Sequence, residues 1–265
     1  MNNNKKSEPI LTVSSLSKYF FSKGSVIEVI DKINIEVSKG EFIGIFGPNG
    51  CGKSTFFNLI AGIETPSSGT INNLNQKEFA DVKIGIVFQD YNNSLMPWKN
   101  CLENISFPFD KDKKMGNNEK CDRVNDMLKL LGLEKRLPLY NYPYQMSGGE
   151  KQLTCIARAL VTNPDIILFD EPFASLDFQT RIEMNNIIEE IWLKTKKTII
   201  FISHDIEEAI KLSDRLLLFS PRPAKIEREY MIPFERPRSS RIEVDYQFME
   251  LKNEIITYFT KMTKT

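Results

Sequence analysis

A glycine-rich segment, Gly47–Thr55 (GPNGCGKST), constrains this chain more than any other part of its sequence. It fits the pattern G-x-x-x-x-G-K-[ST] and stands between an apolar run, Phe42–Phe46, and a stretch of helical pattern from about Lys53 to Ala61. Glycines allow backbone N–H groups to converge on phosphate oxygens without clashes from Cβ atoms, and the start of a helix adds a partial positive charge. The segment therefore predicts a phosphate-binding loop between a strand and a helix.

Several residues of this loop have expected roles toward a nucleoside triphosphate. Lys53 is expected to reach the β- and γ-phosphates, the Ser54 hydroxyl to ligate Mg²⁺, and Thr55 to support the α-phosphate side. The full set of expected nucleotide contacts is Gly47, Pro48, Asn49, Gly50, Cys51, Gly52, Lys53, Ser54 and Thr55. The complete pattern in this context disfavours a plain connecting turn. The pattern does not distinguish ATP from GTP.

A second apolar run, Ile166–Phe169, ends in two carboxylates, Asp170 and Glu171. A buried parallel strand explains the apolar part, and its carboxyl end opens onto a ligand crevice in α/β proteins. Asp170 is then placed to hold Mg²⁺, and Glu171 to polarise a water molecule for attack on the γ-phosphate. In isolation an exposed turn would explain the pair better, but the phosphate loop elsewhere in the chain favours the catalytic interpretation.

A third motif, Ser147–Gln152 (SGGEKQ), begins a helix whose apolar residues repeat at helical spacing. Ser147 and Glu150 match a capping box, which is a sufficient structural explanation for those two residues. A cap does not need the double glycine, Gly148 and Gly149, which would expose N–H groups at a positive helix end. The motif thus predicts a second anion site, and two such sites suggest nucleotide sharing in a dimer.

Strands alternate with helices over the second half of the chain. This alternation predicts a mostly parallel sheet covered on both faces. The predicted helices are Glu150–Val161, Phe178–Thr195 and Ile206–Leu212, and the predicted strands are Ile166–Phe169, Thr198–Ile202 and Arg215–Phe219.

The remaining regions differ in character. Short β-branched runs over Ile10–Glu41 predict a small β-rich segment, and Thr65–Gly69 predicts a turn. Residues 90–146, polar and rich in Asn and Lys, predict an inserted helical subdomain, whereas residues 1–9 are expected to be disordered. The tail, residues 221–265, opens with prolines and closes with an amphipathic helix that either packs on the core or contacts a partner.

Composition excludes several classes of function. The 265 residues carry 35 Lys and Arg against 35 Asp and Glu, and this balance argues against a surface that attracts nucleic acid as a whole. His204 is the only histidine, which excludes a metal site built from several histidines of one chain. The four cysteines form no C-x-x-C pair and predict reduced, cytosolic thiols. No apolar run approaches the roughly 18 residues that a membrane helix needs.

Taken together, these motifs resemble those of the ATPase subunits of ABC transporters. The shared motifs, in the family's order and spacing, are GPNGCGKST, Gln89, MSGGEKQ, ILFDEP, SLD at Ser175–Asp177 and SHD at Ser203–Asp205. The resemblance covers about residues 10–220. It implies an α/β fold: a P-loop NTPase parallel-sheet core with an N-terminal antiparallel β subdomain and an inserted helical subdomain at about residues 90–160. It also implies ATP and Mg²⁺ as cofactors.

The resemblance assigns roles that single residues would not carry alone. By this likeness Phe20, or Tyr19 beside it, stacks on the adenine, and the run of Tyr19, Phe20 and Phe21 leaves the choice open. Gln89 senses Mg²⁺ and the γ-phosphate while coupling to the membrane subunit. His204 contacts the γ-phosphate and orients the attack.

The same likeness implies a homodimer that holds two ATP molecules head to tail. Ser147, Gly148 and Gly149 would clasp the ATP held by the other protomer, and Asp177 would lie at the dimer interface. Two positions depart from the family's usual pattern: Leu153 replaces a basic or polar residue, and Met146 replaces the commoner Leu. Neither change removes a phosphate contact.

Less general segments are similar to those of the nitrate, sulfonate and taurine importers. These segments are Leu95–Trp98 followed by Leu102–Asn104, Phe173 in EPFASLD, and Ser220–Ile226. They imply an ATP-hydrolysing subunit that energises import of a small solute through a separate integral membrane permease. Such a subunit is peripheral, at the cytoplasmic face of the cell membrane, and acts indirectly with an extracytoplasmic solute-binding protein. No nucleic acid partner is expected.

Two other functions remain open at this level. One is an ATP-gated soluble switch acting on nucleic acid or the ribosome, which the single core, the absence of a heptad run and the zero net charge disfavour. The other is an efflux ATPase of the same superfamily, against which the LMPW and PRPAKI segments argue mildly. The sequence does not name the solute, because the ATPase does not touch it.

Overall fold

The computed structural model describes residues 9–22, 24–73, 82–238 and 240–264. The chain divides into two compact units, one formed by Met1–Val82 and Lys197–Thr265 and the other by Lys83–Lys196. The disorder expected for residues 1–9 falls outside the described residues except at Pro9, which begins a strand. None of the helices in the described ranges combines the length and the apolarity that crossing a membrane requires.

The elements are as follows in chain order. They are β1 (Pro9–Ser22), β2 (Ser25–Ser38), β3 (Phe42–Phe46), α1 (Lys53–Ile60), β4 (Ser68–Asn73), β5 (Ile84–Val87), α2 (Tyr91–Ser94), α3 (Cys101–Ser106), α4 (Asn117–Leu131), α5 (Gly148–Leu160), β6 (Ile166–Asp170), α6 (Phe178–Thr195), β7 (Thr198–Ile202), α7 (Ile206–Leu212), β8 (Arg215–Phe219), β9 (Ile226–Met231) and α8 (Tyr246–Thr263). Short 3₁₀ segments cover Phe107–Lys111, Pro143–Gln145 and Ser240–Val244.

The first unit opens with an antiparallel sheet in the order β2, β1, β4, which confirms the predicted N-terminal β subdomain. Buried Ile33, Ile35 and Val37 alternate with exposed residues along β2, so one face of this strand packs inward. The turn predicted at Thr65–Gly69 is too long, because β4 begins at Ser68. A Cβ atom at Gly69 would lie 2.3 Å from the Ser15 carbonyl oxygen, so this glycine permits a close approach of two strands.

A second sheet of the first unit has the strand order β7, β3, β8, β9. Strands β7 and β8 run parallel to β3, and β9 runs antiparallel to β8. Every residue of β3 and β7 is buried, as expected for parallel strands covered on both faces. The carboxyl ends of β3, β7 and β8 lie at one edge of this sheet, where the chain continues into Gly47, Ser203 and Ser220.

The C-terminal tail contributes a strand and a helix to this unit. A cluster of buried residues joins β3, α7 and β8 to the tail; it consists of Phe46, Ala209, Ile210, Leu216, Leu218, Tyr230, Ile232, Phe248 and Ile255. Phe234 and Phe248 pack with ring centroids 5.7 Å apart. The sequence analysis predicted the helix but not β9, in which Tyr230 is the one buried residue.

The second unit contains a parallel strand pair and five helices among the described residues. Strands β5 and β6 pair from Ile84 opposite Ile166 to Val87 opposite Phe169. Helix α4 ends at Leu131, and the φ of 73° at the following Gly132 suits a helix C-terminus. Helices α2 to α5 lie where the sequence predicts the helical subdomain, about residues 90–160.

Candidate nucleotide-binding site

The predicted phosphate loop lies in the first unit, between β3 and α1. Gly50 and Gly52 adopt φ values of 70° and 130°, a left-handed region that residues with a Cβ atom rarely adopt. A Cβ atom at Gly47 would lie 2.9 Å from the Phe219 Cβ atom on β8. Backbone conformation therefore requires glycine at positions 50 and 52, and close packing requires it at position 47.

The Lys53 ammonium lies across the loop. Its Nζ atom donates to the carbonyl oxygens of Gly47 at 2.9 Å and Pro48 at 3.2 Å, and Lys53 is 5% exposed. Lysine is rarely buried to this extent. The fold thus holds a positive charge where the sequence predicts the β- and γ-phosphates. Ser54, the predicted Mg²⁺ ligand, is exposed in the next position, and Thr55 is half-buried.

The start of α1 differs from the starts of most other helices. Six helices begin at a residue whose side chain accepts a backbone N–H; these residues are Asp90, Asn100, Ser147, Asp177, Asp205 and Asp245. Of the residues the structure describes, none caps α1 in this way, and no acidic residue occurs in its first turn. A helix start of this kind suits a phosphate group, which supplies the acceptor oxygens itself. The residues present therefore fit a nucleotide.

His204 lies at the same sheet edge as the phosphate loop. The Ser203 N–H donates to the Ile45 carbonyl oxygen at 3.2 Å, which ties the end of β7 to β3. Buried Ser203 donates from Oγ to Glu208 Oε2 at 2.5 Å, and the Asp205 N–H donates to Ser203 Oγ at 3.0 Å. These bonds fix the short segment that presents the exposed His204 side chain. Within the first unit, His204 and Gly47 are thus brought to one edge.

The candidate adenine-stacking residues lie near the end of β1. Phe20 is 37% exposed, and the Lys18 ammonium lies 4.7 Å from its ring centroid. Lys18 is fixed by bonds to Glu64 Oε2 at 2.9 Å and the Thr65 carbonyl oxygen at 2.8 Å. Tyr19 is equally exposed, so exposure does not choose between it and Phe20.

In the second unit, Gln89 and the acidic pair Asp170 and Glu171 lie at or just beyond the carboxyl ends of the paired strands β5 and β6, at one edge of that pair. Val87 of β5 lies opposite Phe169 of β6, and exposed Gln89 and half-buried Asp170 and Glu171 follow. Glu171 has φ of 44°, a left-handed conformation that costs a residue with a side chain about 1–3 kcal/mol. Such strain is concentrated at functional sites, and the sequence pattern contains no signal for it.

At the start of α5, local contacts explain the first four residues of the predicted motif, Ser147, Gly148, Gly149 and Glu150. Ser147 and Glu150 form the predicted capping box: the Glu150 N–H donates to Ser147 Oγ at 3.3 Å, and the Ser147 N–H to Glu150 Oε2 at 2.7 Å. A Cβ atom at Gly148 would lie 2.9 Å from the Tyr91 hydroxyl oxygen, and one at Gly149 would lie 2.8 Å from Thr180 Cγ2. The double glycine is therefore required by packing, whatever its role toward an anion. The sequence analysis missed Tyr91 and Thr180, which are distant in the chain.

Asp177 also has a clear local role, as the cap of α6. Its Oδ1 atom accepts from the Thr180 N–H at 3.0 Å, and Oδ2 accepts from the Thr180 hydroxyl at 2.6 Å. The bond from the Thr180 hydroxyl lowers the pKa of Asp177 below its usual range. The charged, exposed carboxylate remains compatible with the predicted position at a dimer interface.

The described residues contain no cluster of three or more His, Cys, Asp and Glu side chains that would hold a metal ion. The predicted Mg²⁺ ligands belong to a different kind of site, in which a hydroxyl and a carboxylate act together with phosphate oxygens. By residue type, each of the predicted ligands Ser54, Asp170 and Gln89 offers a hard oxygen donor, the kind of ligand that Mg²⁺ prefers.

Comparison with known proteins decides the family. The family model described as ABC transporter matches residues 30–174 of the chain. The chain belongs to the ABC transporter family. An uncharacterised ABC transporter ATP-binding protein of Methanocaldococcus jannaschii is 40% identical over 248 residues, which cover 93% of this chain and 90% of that protein. An aliphatic sulfonate import ATP-binding protein of Bacillus cereus is 35% identical over 253 residues, with coverages of 94% and 95%.

A solved structure agrees with this membership. A dimeric ATP-binding cassette in a post-hydrolysis state, bound to ADP and Pi, superposes with a TM-score of 0.71 at 30% identity, covering 85% of this chain and 100% of that one. The predicted family, the P-loop NTPase fold and the ATPase activity of this ABC transporter protein are thereby confirmed. The roles of its individual site residues stay predictions.

Proposed function

We propose that this chain is the ATP-hydrolysing subunit of an importer for a small solute and acts with a separate membrane permease. The observation that carries the proposal is the phosphate loop: three glycines required by backbone conformation or by packing, a buried lysine across the loop, and a helix start without a side-chain cap. Membership in the ABC transporter family supports ATP as the nucleotide. Similarity to an aliphatic sulfonate import protein supports import over export and over a soluble switch.

The proposed hydrolysis follows from the chemistry of these side chains. Lys53 and the loop amides bind the phosphates, and Ser54, Asp170 and Gln89 would hold Mg²⁺, which supplies neutralising charge on the β- and γ-phosphates. Glu171 accepts a proton from a water molecule as its oxygen attacks the γ-phosphorus. The bond from that phosphorus to the β,γ-bridging oxygen then breaks, which releases ADP and inorganic phosphate. His204 contacts the γ-phosphate and orients the attack.

The proposed assembly is a homodimer with permease subunits at the cytoplasmic face of the membrane. Ser147, Gly148 and Gly149 of each protomer clasp the ATP of the other, with Asp177 at the interface, and Phe20 stacks on the adenine. ATP binding then favours the closed dimer, because only the closed state contacts ATP from both sides. Hydrolysis and phosphate release reopen it. A sulfonate-like, taurine-like or nitrate-like solute, delivered by an extracytoplasmic binding protein, is the proposed cargo class.

The substitution Glu171→Gln tests the proposed mechanism. It preserves size and hydrogen bonding but removes the base, so ATP binding is retained while turnover falls by about 10²–10⁴-fold, the usual contribution of a general base. The trapped variant forms an ATP-dependent dimer, which light scattering detects. Glu190→Gln, the same substitution at an exposed position of α6, is the matched control and retains the parent rate. A Glu171→Gln protein that hydrolyses ATP as fast as this control contradicts the proposed role.

A further inference from the structure

The segment Ser220–Lys225 (SPRPAK), here called the strap, lies beside the phosphate loop in the first unit. It follows β8, and the proposed hydrolysis assigns it no role. Its Ala224 is completely buried; the Ala224 N–H donates to the Val29 carbonyl oxygen at 2.8 Å, and the Asp31 N–H donates to the Ala224 carbonyl oxygen at 3.0 Å. The strap is therefore attached to β2 by two backbone hydrogen bonds.

Side chains reinforce this attachment. Ser220 Oγ accepts from the Lys225 N–H at 3.0 Å and lies 3.2 Å from the Pro223 carbonyl oxygen, which closes the strap into a compact turn. The Lys225 ammonium pairs with the Asp31 carboxylate at 2.8 Å. The strap is held at both ends, and the position of its middle residue, Arg222, is correspondingly restricted.

The strap contacts the phosphate loop at two points. A Cβ atom at Gly52 would lie 3.5 Å from Ala224 Cβ and 3.0 Å from Val29 Cγ1, so these residues form the wall behind the loop. At its apex, Arg222 Nη2 donates to the Gly50 carbonyl oxygen at 2.8 Å. Nothing lies within 4 Å of the Cβ position at Gly50, so packing does not hold this glycine from that side.

The Gly50 carbonyl bond bears directly on nucleotide binding because a peptide unit is planar. The Gly50 carbonyl and the Cys51 N–H belong to one rigid unit and point in opposite directions. An arginine that holds the carbonyl on one side therefore keeps the Cys51 N–H on the other side, where it donates to the Pro48 carbonyl oxygen at 3.3 Å and closes a turn within the loop. Gly50 has a φ of 70°, in a region that glycine adopts more readily than other residues, so the Arg222 bond adds to the Cys51–Pro48 bond in holding this turn.

We propose that Arg222 is a positioning residue for nucleotide binding, which holds the Gly50–Cys51 peptide and the turn that this peptide closes, so that the phosphate loop keeps the shape that receives phosphates. The proposal rests on the proposed function, since it presumes that the loop binds a nucleotide. The loop contacts phosphates in the ground state and in the transition state alike. Loss of the arginine therefore weakens nucleotide binding uniformly, raising KM and Kd while kcat is unchanged.

The test measures Kd by isothermal titration calorimetry. Mg-ADP is titrated into the parent, Arg222→Ala, Arg222→Lys and Arg228→Ala proteins. Arg222→Ala removes one exposed charged hydrogen bond, so Kd rises by about three- to tenfold. Arg222→Lys keeps a donor and recovers part of that affinity. Arg228, which contacts Tyr258 and Glu254 on α8, is the matched control, and its variant binds as the parent does. KM for ATP rises in parallel, and the unfolding midpoint without nucleotide stays at the parent value.

The outcomes separate this inference from the proposed function. A parent protein that does not bind Mg-ADP overturns both. A parent that binds, together with an Arg222→Ala protein of equal Kd, overturns the inference alone. A fall in kcat without a rise in KM, or no recovery in Arg222→Lys, also contradicts it, because either result assigns Arg222 a role other than positioning the loop for binding.

Discussion

The buried arginine of the tail offers the sharpest test of how this fold is held together. The Nη1 atom of Arg238, a residue that is 3% exposed, lies 3.0 Å from the Ile210 carbonyl oxygen, 2.9 Å from that of Lys211 and 2.6 Å from that of Ser213, and its two N–H groups are shared among these acceptors. Its Nε atom donates to the Phe234 carbonyl oxygen at 3.0 Å. The last carbonyl groups of a helix have no partner within it. The guanidinium supplies that partner at the end of α7 and so joins the tail to the helix.

The cost of losing this group follows from its bonds. A hydrogen bond to a charged group contributes about 1.5–3 kcal/mol, and a buried carbonyl left without a donor costs about 1–3 kcal/mol. Burying the guanidinium opposes these gains, because removing a charge from water is costly. We therefore expect Arg238→Ala to lower the free energy of unfolding by a net ~3 kcal/mol. For a chain of this size that corresponds to a decrease in the thermal midpoint of roughly 6–12 °C.

The assay is thermal unfolding followed by circular dichroism, with Arg228→Ala as the control. Both substitutions remove an arginine from the tail, but the Arg228 side chain is 47% exposed, so its variant keeps the parent midpoint. ATPase activity measured well below the midpoint is retained in Arg238→Ala, because no site residue has changed. Equal midpoints for the two variants would refute the argument that Arg238 substitutes for the missing donors of α7.

Two further predictions concern α5 and the buried thiols. Gly148→Ala places a Cβ atom 2.9 Å from the Tyr91 hydroxyl oxygen, and such overpacking lowers the free energy of unfolding by about 1–3 kcal/mol. The control Gly116→Ala keeps the parent stability, because there is open space at its Cβ position. The decisive measurement is the unfolding midpoint of the Gly148→Ala, Tyr91→Phe double variant, which should recover. Burial raises the pKa of Cys101 and Cys155 to about 11 from an ordinary 9.0, so their contribution to stability is complete below pH 9 and is lost as pH rises toward 11. Urea midpoints of the parent should therefore fall more steeply over that range than those of a double alanine variant at these two positions, and equal slopes would contradict the prediction.

Buried parallel strands were the elements that the sequence predicted best. Phe42–Phe46, Thr198–Ile202 and Arg215–Phe219 have the predicted bounds, because such strands are short continuous apolar runs between turn residues. Strands β4 and β9 were not predicted, since they are largely exposed and polar, and their pairing depends on distant partners. Apolar periodicity carries no information about such strands.

The candidate site likewise contains features that the sequence predicts and features that it does not. The phosphate loop follows from one contiguous segment, whose glycines and lysine have the local conformations that the motif requires. The hydrogen bond from Arg222 to Gly50 joins residues 172 positions apart, and no local sequence pattern predicts it. The strained backbone of Glu171 is likewise invisible in the sequence, where the residue reads as an ordinary carboxylate after a strand.

The two glycine-rich motifs differ in what their glycines establish about function. At α5, Tyr91 and Thr180 already require Gly148 and Gly149, so the double glycine there is no independent sign of an anion site. The Ser147 hydroxyl has one proton, which it donates to Glu150 Oε2 at 2.9 Å. To donate to a phosphate of a partner protomer, Ser147 must release that bond, so its net contribution to the dimer is the difference between two hydrogen bonds to anionic acceptors. Such a difference is small. In the proposed dimer, the N–H groups at the start of α5 and the helix dipole are therefore expected to contribute more to closure than the Ser147 hydroxyl does.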